Sequence, residues 1–277
     1  MNAEPHTLRK PSDYKSDATP IWCPGCGDYH VLLSLARVFA ELGLAPEQIA
    51  VISGIGCSSR IPAYTSCYGF HGVHGRALPV AAGLKVVRPD LTVVVASGDG
   101  DGYSIGGNHF LHACRRNIDL TYLVMDNHIY GMTKGQPSPT TEPDFDTALS
   151  PGGTRLRPFN PLVIALASGA NFVARAFSGN IQETVSIIAD AIRHPGFSFV
   201  EVLSPCVTFR PDQKVWKNLV HPAPVLATDD PGRAARRLMT DDGFNLGVLY
   251  CGDRRPYQPA IGAQPCDLGE LEKEFEI

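Results

Sequence analysis

The stretch TVVVASGDGDGYSIGG (residues 92–107) joins an apolar run to a glycine-rich loop. The run at residues 92–96 is rich in β-branched residues, which predicts a buried strand. Glycines that follow a strand are typical of loops whose backbone amides bind phosphate. Two aspartates, Asp99 and Asp101, stand among these glycines, where they would repel a bare phosphate. The loop therefore raises the question of what lies between the carboxylates and an anion.

The composition is that of an ordinary globular protein and excludes several classes of function. The 277 residues are 44% hydrophobic and 19% charged, which suits one large domain or one domain with an appendage. The formal net charge of −4 gives no basic field for nucleic acid. No apolar run approaches the roughly 20 residues of a membrane span, and the first residues lack the apolar core of a signal peptide. We therefore expect a cytoplasmic protein whose eight cysteines form no disulfide framework.

Short β-branched runs alternate with helical stretches along the chain. Strands are predicted at residues 49–53, 92–96, 120–125, 172–177 and 197–203, and helices at residues 29–42, 161–168 and 182–193. This alternation predicts an α/β fold with a doubly wound, mostly parallel sheet.

Three segments depart from this alternation. Residues 1–22 are polar and are predicted to form an N-terminal arm before an α/β domain at residues 23–210. Residues 131–161 are rich in Pro, Thr and Gly, which predicts a long functional loop. Residues 211–277 are proline-rich with little periodicity, and we expect an irregular C-terminal extension that contacts a partner subunit.

An asparagine follows the next predicted strand of this core. Asn127 comes just after the apolar run at residues 120–125. Neighbouring parallel strands end at one edge of the sheet, where ligands bind, so Asp99 and Asn127 are predicted to lie side by side. Their oxygens suit Mg²⁺, and this ion would separate the carboxylate from a bound diphosphate. The amides after Gly100 and the helix that begins near Gly106 would hold the other phosphate oxygens.

The glycine loop allows other interpretations. A nicotinamide dinucleotide fold requires G-x-G-x-x-G and an acidic residue at a strand end about 20 residues further on, and the loop matches the first poorly and lacks the second. An acidic turn between a core strand and a helix would explain the GDG sequence but not Asn127. A GDG loop after a strand, with an asparagine at the next strand end, resembles the thiamine diphosphate motif.

Four cysteines fall at positions that suit a metal cluster. Cys23 and Cys26 form a C-x2-C pair, which alone fits half of a zinc site, a redox pair or two cluster ligands. No second C-x2-C follows, although a structural zinc site usually supplies one. Cys57 and Cys206 each follow a predicted strand, at the same sheet edge as Asp99, so four thiolates there would suit a [4Fe–4S] cluster. We expect buried or incidental thiols at the other positions, namely Cys67, Cys114, Cys251 and Cys266.

In combination these motifs resemble the β subunit of 2-oxoacid:ferredoxin oxidoreductases. The matching segments are CPGCG (residues 23–27), GCSSR (56–60), HGVHGRA (71–77), YGMTKGQ (130–136) and SPC (204–206). The resemblance covers roughly residues 18–210 and implies a sheet of the thiamine diphosphate-binding type. It also implies the reaction: a 2-oxoacid, coenzyme A and oxidised ferredoxin give an acyl-CoA, CO₂ and reduced ferredoxin.

The resemblance also implies which residues hold the cofactors. The cluster ligands would be Cys23, Cys26, Cys57 and Cys206. The Mg²⁺ ligands would be Asp99, Asn127 and the carbonyl of Ile129. The thiamine diphosphate would be lined by Ile55, Gly56, His74, Gly98, Asp99, Gly100, Asp101, Asn127 and Tyr130. The glutamate that thiamine activation requires normally comes from a second α/β domain, so an α subunit is expected to supply it in an α2β2 heterotetramer.

Two positions favour 2-oxoglutarate as the substrate. Arg60 lies three residues after Cys57, so we expect its guanidinium to enter the same cavity and to bind a second carboxylate. Pyruvate-type members of the family tend to place Asn where Met132 stands. The predicted substrate-binding residues are Arg60, His71, Met132 and Thr133, and the predicted catalytic residues are His74 and Arg60. The alternative function is that of a pyruvate or broad-specificity enzyme. For Arg60 itself the alternatives are a surface arginine or a residue that influences the potential of the cluster.

Two other classes of protein stay open at this point. A cluster-free thiamine enzyme usually carries both cofactor domains on one longer chain and needs no group of four cysteines. A non-catalytic iron–sulfur or zinc module for electron transfer or redox sensing would have no use for Asp99 and Asn127.

Overall fold

A computed structural model describes residues 9–223 and 227–258. The strands are β1 (Ile49–Ser53), β2 (Tyr68–His71), β3 (Thr92–Gly98), β4 (Leu120–Asp126), β5 (Phe172–Phe177), β6 (Phe197–Leu203), β7 (His221–Pro222) and β8 (Asn245–Cys251). The α-helices are α1 (Asp28–Glu41), α2 (Ala77–Val87), α3 (Gly107–Arg116), α4 (Pro161–Ala167), α5 (Ile181–Arg193), α6 (Trp216–Leu219) and α7 (Pro231–Met239). None of the helices in these ranges is long and apolar enough to cross a membrane.

The eight strands form one sheet in the order β2-β1-β3-β4-β6-β5-β8-β7. The pairs from β2 to β5 are all parallel, and β8 joins β5 antiparallel. β1, β4, β5 and β6 are buried along their whole length because helices cover both faces. Side chains of α1 and α5 pack on one face, and those of α2, α3, α4 and α7 pack on the other.

The predicted α/β fold with a mostly parallel sheet is confirmed. All five predicted strands are present, and the predicted helices correspond to α1, α4 and α5. β2 was not predicted, since all four of its residues are exposed and show no buried face. Residues 127–160 form the expected long connection between β4 and α4.

The segment after residue 210 is more regular than the irregular tail that we expected. β8 extends the main sheet, and α7 is a helix with Ala234 and Leu238 buried against the core. The strand was missed because its pairing with β5 joins residues far apart in the sequence. Cys266 and the rest of residues 259–277 lie outside the described residues. The division at residues 22 and 210 and the contact of the tail with a partner subunit stay predictions.

The N-terminal arm is anchored where the structure describes it. Tyr14 is fully buried, and its hydroxyl lies 2.6 Å from the carbonyl oxygen of Leu44 and 3.1 Å from that of Phe39. Further along, the indole N–H of Trp22 donates to the carbonyl of Cys57 at 2.7 Å. These bonds fix the arm against α1 and against the segment after β1.

The sheet register brings the candidate site together. Gly98 at the end of β3 pairs with Met125 in β4, and Asp126 at the end of β4 pairs with Leu203 in β6. The residues that follow these three strands therefore emerge side by side at one edge of the sheet. This is the edge at which α/β sheets bind ligands.

Candidate functional site

A cavity of about 160 Å³ lies at the carboxyl ends of β1, β3 and β4. Its lining residues come from the turn after β1, the loop before α2, the glycine loop and the segment after β4. They are Ile55, Gly56, Cys57, Ser58, His74, Gly98, Asp99, Gly100, Asp101, Asn127, Ile129, Tyr130, Gly131, Met132 and Thr133. The structure thus brings together every residue predicted to contact thiamine diphosphate or Mg²⁺, and two of the predicted substrate-binding residues.

The glycine loop is a wide π-helical turn, Gly100–Ile105, that leads into α3. Such turns are rare and occur frequently at functional sites. A Cβ atom on Gly100 would overlap the ring of Tyr130, whose hydroxyl donates to the Gly100 carbonyl at 3.0 Å. The aromatic ring and the loop backbone are therefore in close contact, which only glycine permits.

Asp101 joins its own glycine loop to two other segments around the cavity. It is buried, and its Oδ1 accepts the backbone N–H groups of Ile55 at 2.9 Å and Gly75 at 2.7 Å. The same oxygen lies 2.6 Å from Nδ1 of His74, and Oδ2 accepts from the hydroxyl of Ser97 at 2.9 Å. Because four protein donors engage this carboxylate, Asp101 shapes the cavity and orients His74.

Asp99 lies beside a second buried carboxyl group. The hydroxyl of Thr140 lies 3.1 Å from Oδ2 of Asp99 and 2.7 Å from Oδ1 of Asp126. A hydroxyl has one proton, so it cannot donate to two ionised carboxylates at once. Burial raises the pKa of Asp99, and burial together with the charge of Asp99 raises the pKa of Asp126 further. His128 supplies part of the compensating charge, since its Nε2 lies 3.7 Å from Oδ1 of Asp126, and a cation beside Asp99 would supply more.

The donor set around Asp99 fits a magnesium ion bound to a diphosphate. The side-chain oxygen of Asn127 accepts the N–H of Ile129 at 3.1 Å, which shapes the turn after β4 and leaves a second lone pair. Mg²⁺ commonly binds one or two protein oxygens together with phosphate and water. Among residues 9–223 and 227–258, no three His, Cys, Asp or Glu side chains are arranged to hold a metal ion alone. The finding also covers Cys23, Cys26, Cys57 and Cys206, which in a [4Fe–4S] cluster would each bind a different iron atom.

The four predicted cluster cysteines come from three segments that meet beside the cavity. A Cβ built on Gly131 would lie 3.6 Å from Sγ of Cys206 and 3.9 Å from Sγ of Cys57. The Cys23–Cys26 turn is tied to the same region, because the N–H of Gly27 donates to the carbonyl of Pro205 at 3.4 Å. All seven cysteines in the part of the chain that the structure describes are free thiols.

The electrostatics of this group favour a positively charged partner. Burial, the carboxylate of Asp28 and the neighbouring thiols raise the pKa of Cys57 to about 11 and also raise that of Cys26. Burial raises the pKa of Asp28 itself to about 6. Thiolates become stable in such a place when a metal binds them. Thiol groups are the donors that an iron–sulfur cluster would use, and its irons would stabilise them as thiolates.

Two predicted substrate residues are not brought to the cavity. Arg60 follows Cys57 within a short 3-10 helix, Ser58–Tyr64, and is not among the lining residues, contrary to our expectation. Its buried Nε has no hydrogen-bond partner. His71 also lies outside the lining, and its Nδ1 is 3.0 Å from the hydroxyl of Ser53.

The long loop is held against the cluster segment by a charged group that the sequence did not reveal. Glu142 lies 2.9 Å from Nδ1 of His128 and 2.9 Å from a guanidinium nitrogen of Arg210. Burial would raise the pKa of Glu142, but the bonds from His128 and Arg210 lower it to about 2. The Arg210 guanidinium also lies 4.0 Å from the ring centre of Phe145. No motif marks these residues, because they meet only after folding.

Comparison with known proteins points to one family. The family model described as "Thiamine pyrophosphate enzyme, C-terminal TPP binding domain" matches residues 54–202. A protein of Aeropyrum pernix, "2-oxoacid:ferredoxin oxidoreductase 2, subunit beta", is 40% identical over 259 residues, which cover 88% of this chain and 84% of that protein. The chain belongs to the β subunits of 2-oxoacid:ferredoxin oxidoreductases. The predicted family is confirmed.

Two further relatives of this β subunit are named for 2-oxoglutarate. "2-oxoglutarate oxidoreductase subunit KorB" of Mycobacterium tuberculosis is 49% identical over 201 residues, or 73% of this chain. The match spans only 54% of that relative, about half its length. A solved structure, "2-oxoglutarate:ferredoxin oxidoreductase from Magnetococcus marinus with 2-oxoglutarate, coenzyme A and succinyl-CoA bound", is 39% identical with a TM-score of 0.87 and covers 97% of both chains. The predicted fold of the thiamine diphosphate-binding type is confirmed.

Proposed function

We propose that this β subunit, with an α subunit, catalyses the coenzyme A-dependent oxidative decarboxylation of 2-oxoglutarate. The products are succinyl-CoA, CO₂ and reduced ferredoxin, and the same site can run in reverse. The observation that supports this most directly is that Cys57 belongs both to the cavity and to the group of cysteines. It lines the cavity that contains Asp99 and Asn127, and its sulfur lies beside Gly131 and Cys206. A cluster-free thiamine enzyme has no use for that arrangement.

In this proposal the chain binds and orients the cofactors. Asp99, Asn127 and the carbonyl of Ile129 hold Mg²⁺, and the backbone amides that follow Gly100 bind the diphosphate. Thiamine diphosphate would supply the carbanion chemistry, and Cys23, Cys26, Cys57 and Cys206 would hold a [4Fe–4S] cluster, which would supply one-electron transfer.

His74 presents a ring nitrogen to the cavity, where it can form a hydrogen bond. Its Nδ1 faces the carboxylate of Asp101, which can only accept, so Nδ1 carries a proton. In the neutral ring Nε2 is then an acceptor, which can take a proton or a hydrogen bond from the substrate. This fixed tautomer is the contribution of Asp101 to the chemistry.

A partner subunit is expected because the described cavity lining contains no glutamate. No glutamate is among the residues that line the cavity, so the glutamate that activates the aminopyrimidine ring must come from elsewhere. We propose an α subunit as its source, in an α2β2 heterotetramer. The name "subunit beta" of the Aeropyrum pernix relative supports a partner of this kind.

The preference for 2-oxoglutarate rests on the relatives and on Met132 and Thr133, which line the cavity. Arg60 and His71 do not line it in the described chain, so their substrate roles require a contact made only in the complex. The buried Nε of Arg60, which has no partner, is available for an anion. A pyruvate or broad-specificity enzyme is the alternative.

An anaerobic assay of the co-expressed αβ complex tests this function. Iron and thiamine diphosphate content are measured first, and the rates with coenzyme A and ferredoxin are then compared for 2-oxoglutarate and pyruvate. Arg60→Ala is expected to lower the preference for 2-oxoglutarate, whereas Arg76→Ala, which loses an exposed bond to the Ile105 carbonyl, serves as the control. An unchanged preference in Arg60→Ala rules out the carboxylate contact. Failure of thiamine diphosphate and Mg²⁺ to bind the complex refutes the function and favours a non-catalytic iron–sulfur module.

A further inference from the structure

Gln213 joins the two sites through its side-chain amide. It lies in a short 3-10 helix, Pro211–Val215, beyond the last cluster cysteine, and is 1% exposed. Its Oε1 accepts the backbone N–H of Cys206 at 2.9 Å. Its Nε2 donates to the backbone carbonyl of Asn127 at 2.7 Å.

The orientation of this amide is determined by its partners. An N–H can only donate and a carbonyl can only accept, so Oε1 must face Cys206 and Nε2 must face Asn127. Both polar atoms are used, and burial excludes water as a substitute. A bond of this kind keeps its geometry because either partner would be left buried and unpaired without it.

The bridge lies just beyond the end of the pairing between β4 and β6. β4 and β6 are paired up to Asp126 and Leu203, and the N–H of Ser204 still donates to the Asp126 carbonyl at 2.9 Å. Beyond that point Gln213 joins Cys206 to Asn127, and the guanidinium of Arg210 donates to the carbonyl of His128 at 3.3 Å. Gln213 is the connection that contacts both the cysteine and the asparagine, so its amide contributes directly to their separation.

We propose that Gln213 is a positioning residue that fixes the cluster relative to the magnesium–thiamine diphosphate site and tunes the cluster potential. The inference rests on the proposed function, in which Cys206 binds the cluster and Asn127 binds Mg²⁺. Hydrogen bonds from amides to cluster sulfurs change the reduction potential. Because Gln213 occupies the N–H of Cys206, that group does not donate to a sulfur, and the cluster stays a stronger reductant.

Two substitutions of Gln213 separate an effect on the cluster potential from a general loss of protein stability. Gln213→Met keeps the length and volume of the side chain but frees the Cys206 N–H to donate to sulfur, so the potential rises. Gln213→Glu retains an acceptor for that N–H, so the potential does not rise. Both variants lose or weaken the bond to the Asn127 carbonyl, so both bind Mg²⁺ and thiamine diphosphate less tightly.

Asn171 provides a matched control. It is fully buried and likewise bridges main-chain segments, donating to the carbonyls of Pro195 at 2.8 Å and Arg254 at 3.1 Å. It directly precedes β5, at the opposite edge of the sheet from the cavity. Asn171→Leu is expected to lower the thermal stability of the complex without changing the cluster.

The experiment is an anaerobic redox titration of the αβ complex, followed by electron paramagnetic resonance, with separate titration of thiamine diphosphate and Mg²⁺. For Gln213→Met we expect the reduction potential of the cluster to rise by about 59 mV for one electron. At a fixed solution potential this is about a tenfold increase in the ratio of reduced to oxidised cluster. We also expect about tenfold weaker cofactor binding. Wild-type values in Gln213→Met, or equal shifts in Asn171→Leu, overturn the inference. A wild-type complex without iron or cofactor refutes the proposed function instead, and is seen before any variant is compared.

Discussion

Replacing Asp101 with asparagine tests whether one carboxylate organises the whole cavity. In Asp101→Asn the remaining oxygen can still face Ile55, Gly75 and His74, and the new amide group can face the hydroxyl of Ser97, which turns to accept. The shape is preserved and only the charge is lost. The substitution therefore isolates the charge-assisted part of these hydrogen bonds.

The expected cost follows from the number of bonds. Hydrogen bonds to a charged group contribute about 1.5–3 kcal/mol each, and neutral ones about 0.5–1.5 kcal/mol, so each bond loses about 1 kcal/mol. Three donors share the retained oxygen, which gives a total near 3 kcal/mol, or about a hundredfold in an equilibrium constant. We expect this loss to divide between the free energy of unfolding and the affinity for thiamine diphosphate, because Ile55 and Gly75 belong to segments around the cavity.

The assay is urea unfolding of the αβ complex together with titration of thiamine diphosphate at saturating Mg²⁺. Asp230→Asn is the control, since Asp230 also accepts two backbone N–H groups, from Gly232 at 2.8 Å and Arg233 at 3.0 Å, but at the exposed start of α7. It should lose less than about 1 kcal/mol of stability and no cofactor affinity. If Asp101→Asn behaves like this control, Asp101 does not organise the cavity.

Two other predictions follow from the geometry. Gly100→Ala places a Cβ into the ring of Tyr130 and should weaken thiamine diphosphate binding at least tenfold. Gly107 has open space around it, so Gly107→Ala should leave binding unchanged. Equal titration curves for the two variants would contradict this prediction. In iron-free protein, mass spectrometry after alkylation at pH 8 should show the exposed Cys23 modified and Cys114 unmodified, because Cys114 is buried and burial raises its pKa. A bound cluster should then protect Cys23, and continued labelling of the loaded complex would exclude it as a ligand.

The strand ends of the site could be predicted from sequence because buried parallel strands have simple rules. The apolar runs before Asp99 and Asn127 identify two strands, and parallel strands end at one edge, so the two side chains had to be near each other. The glycines were equally informative, since Gly100 sits where no side chain fits.

The supporting residues could not be predicted because they depend on contacts between distant segments. Thr140 reaches Asp99 from a loop without periodicity, and Gln213 reaches Asn127 from a segment that we expected to be an irregular tail. Proximity to Cys57 in sequence was a weaker guide for Arg60, which does not line the cavity in the described chain. Sequence spacing fixes a side chain's direction only within a known backbone, and the 3-10 helix after Cys57 was not foreseen.

The position of Gly131 and Cys57 has a consequence for how the protein matures in the cell. Both residues line the cofactor cavity, and both lie at the cysteine group. If the two groups bind as proposed, iron insertion shapes the wall against which the vitamin-derived cofactor must fit. A cell short of iron would then accumulate subunits that load thiamine diphosphate poorly, even with ample thiamine.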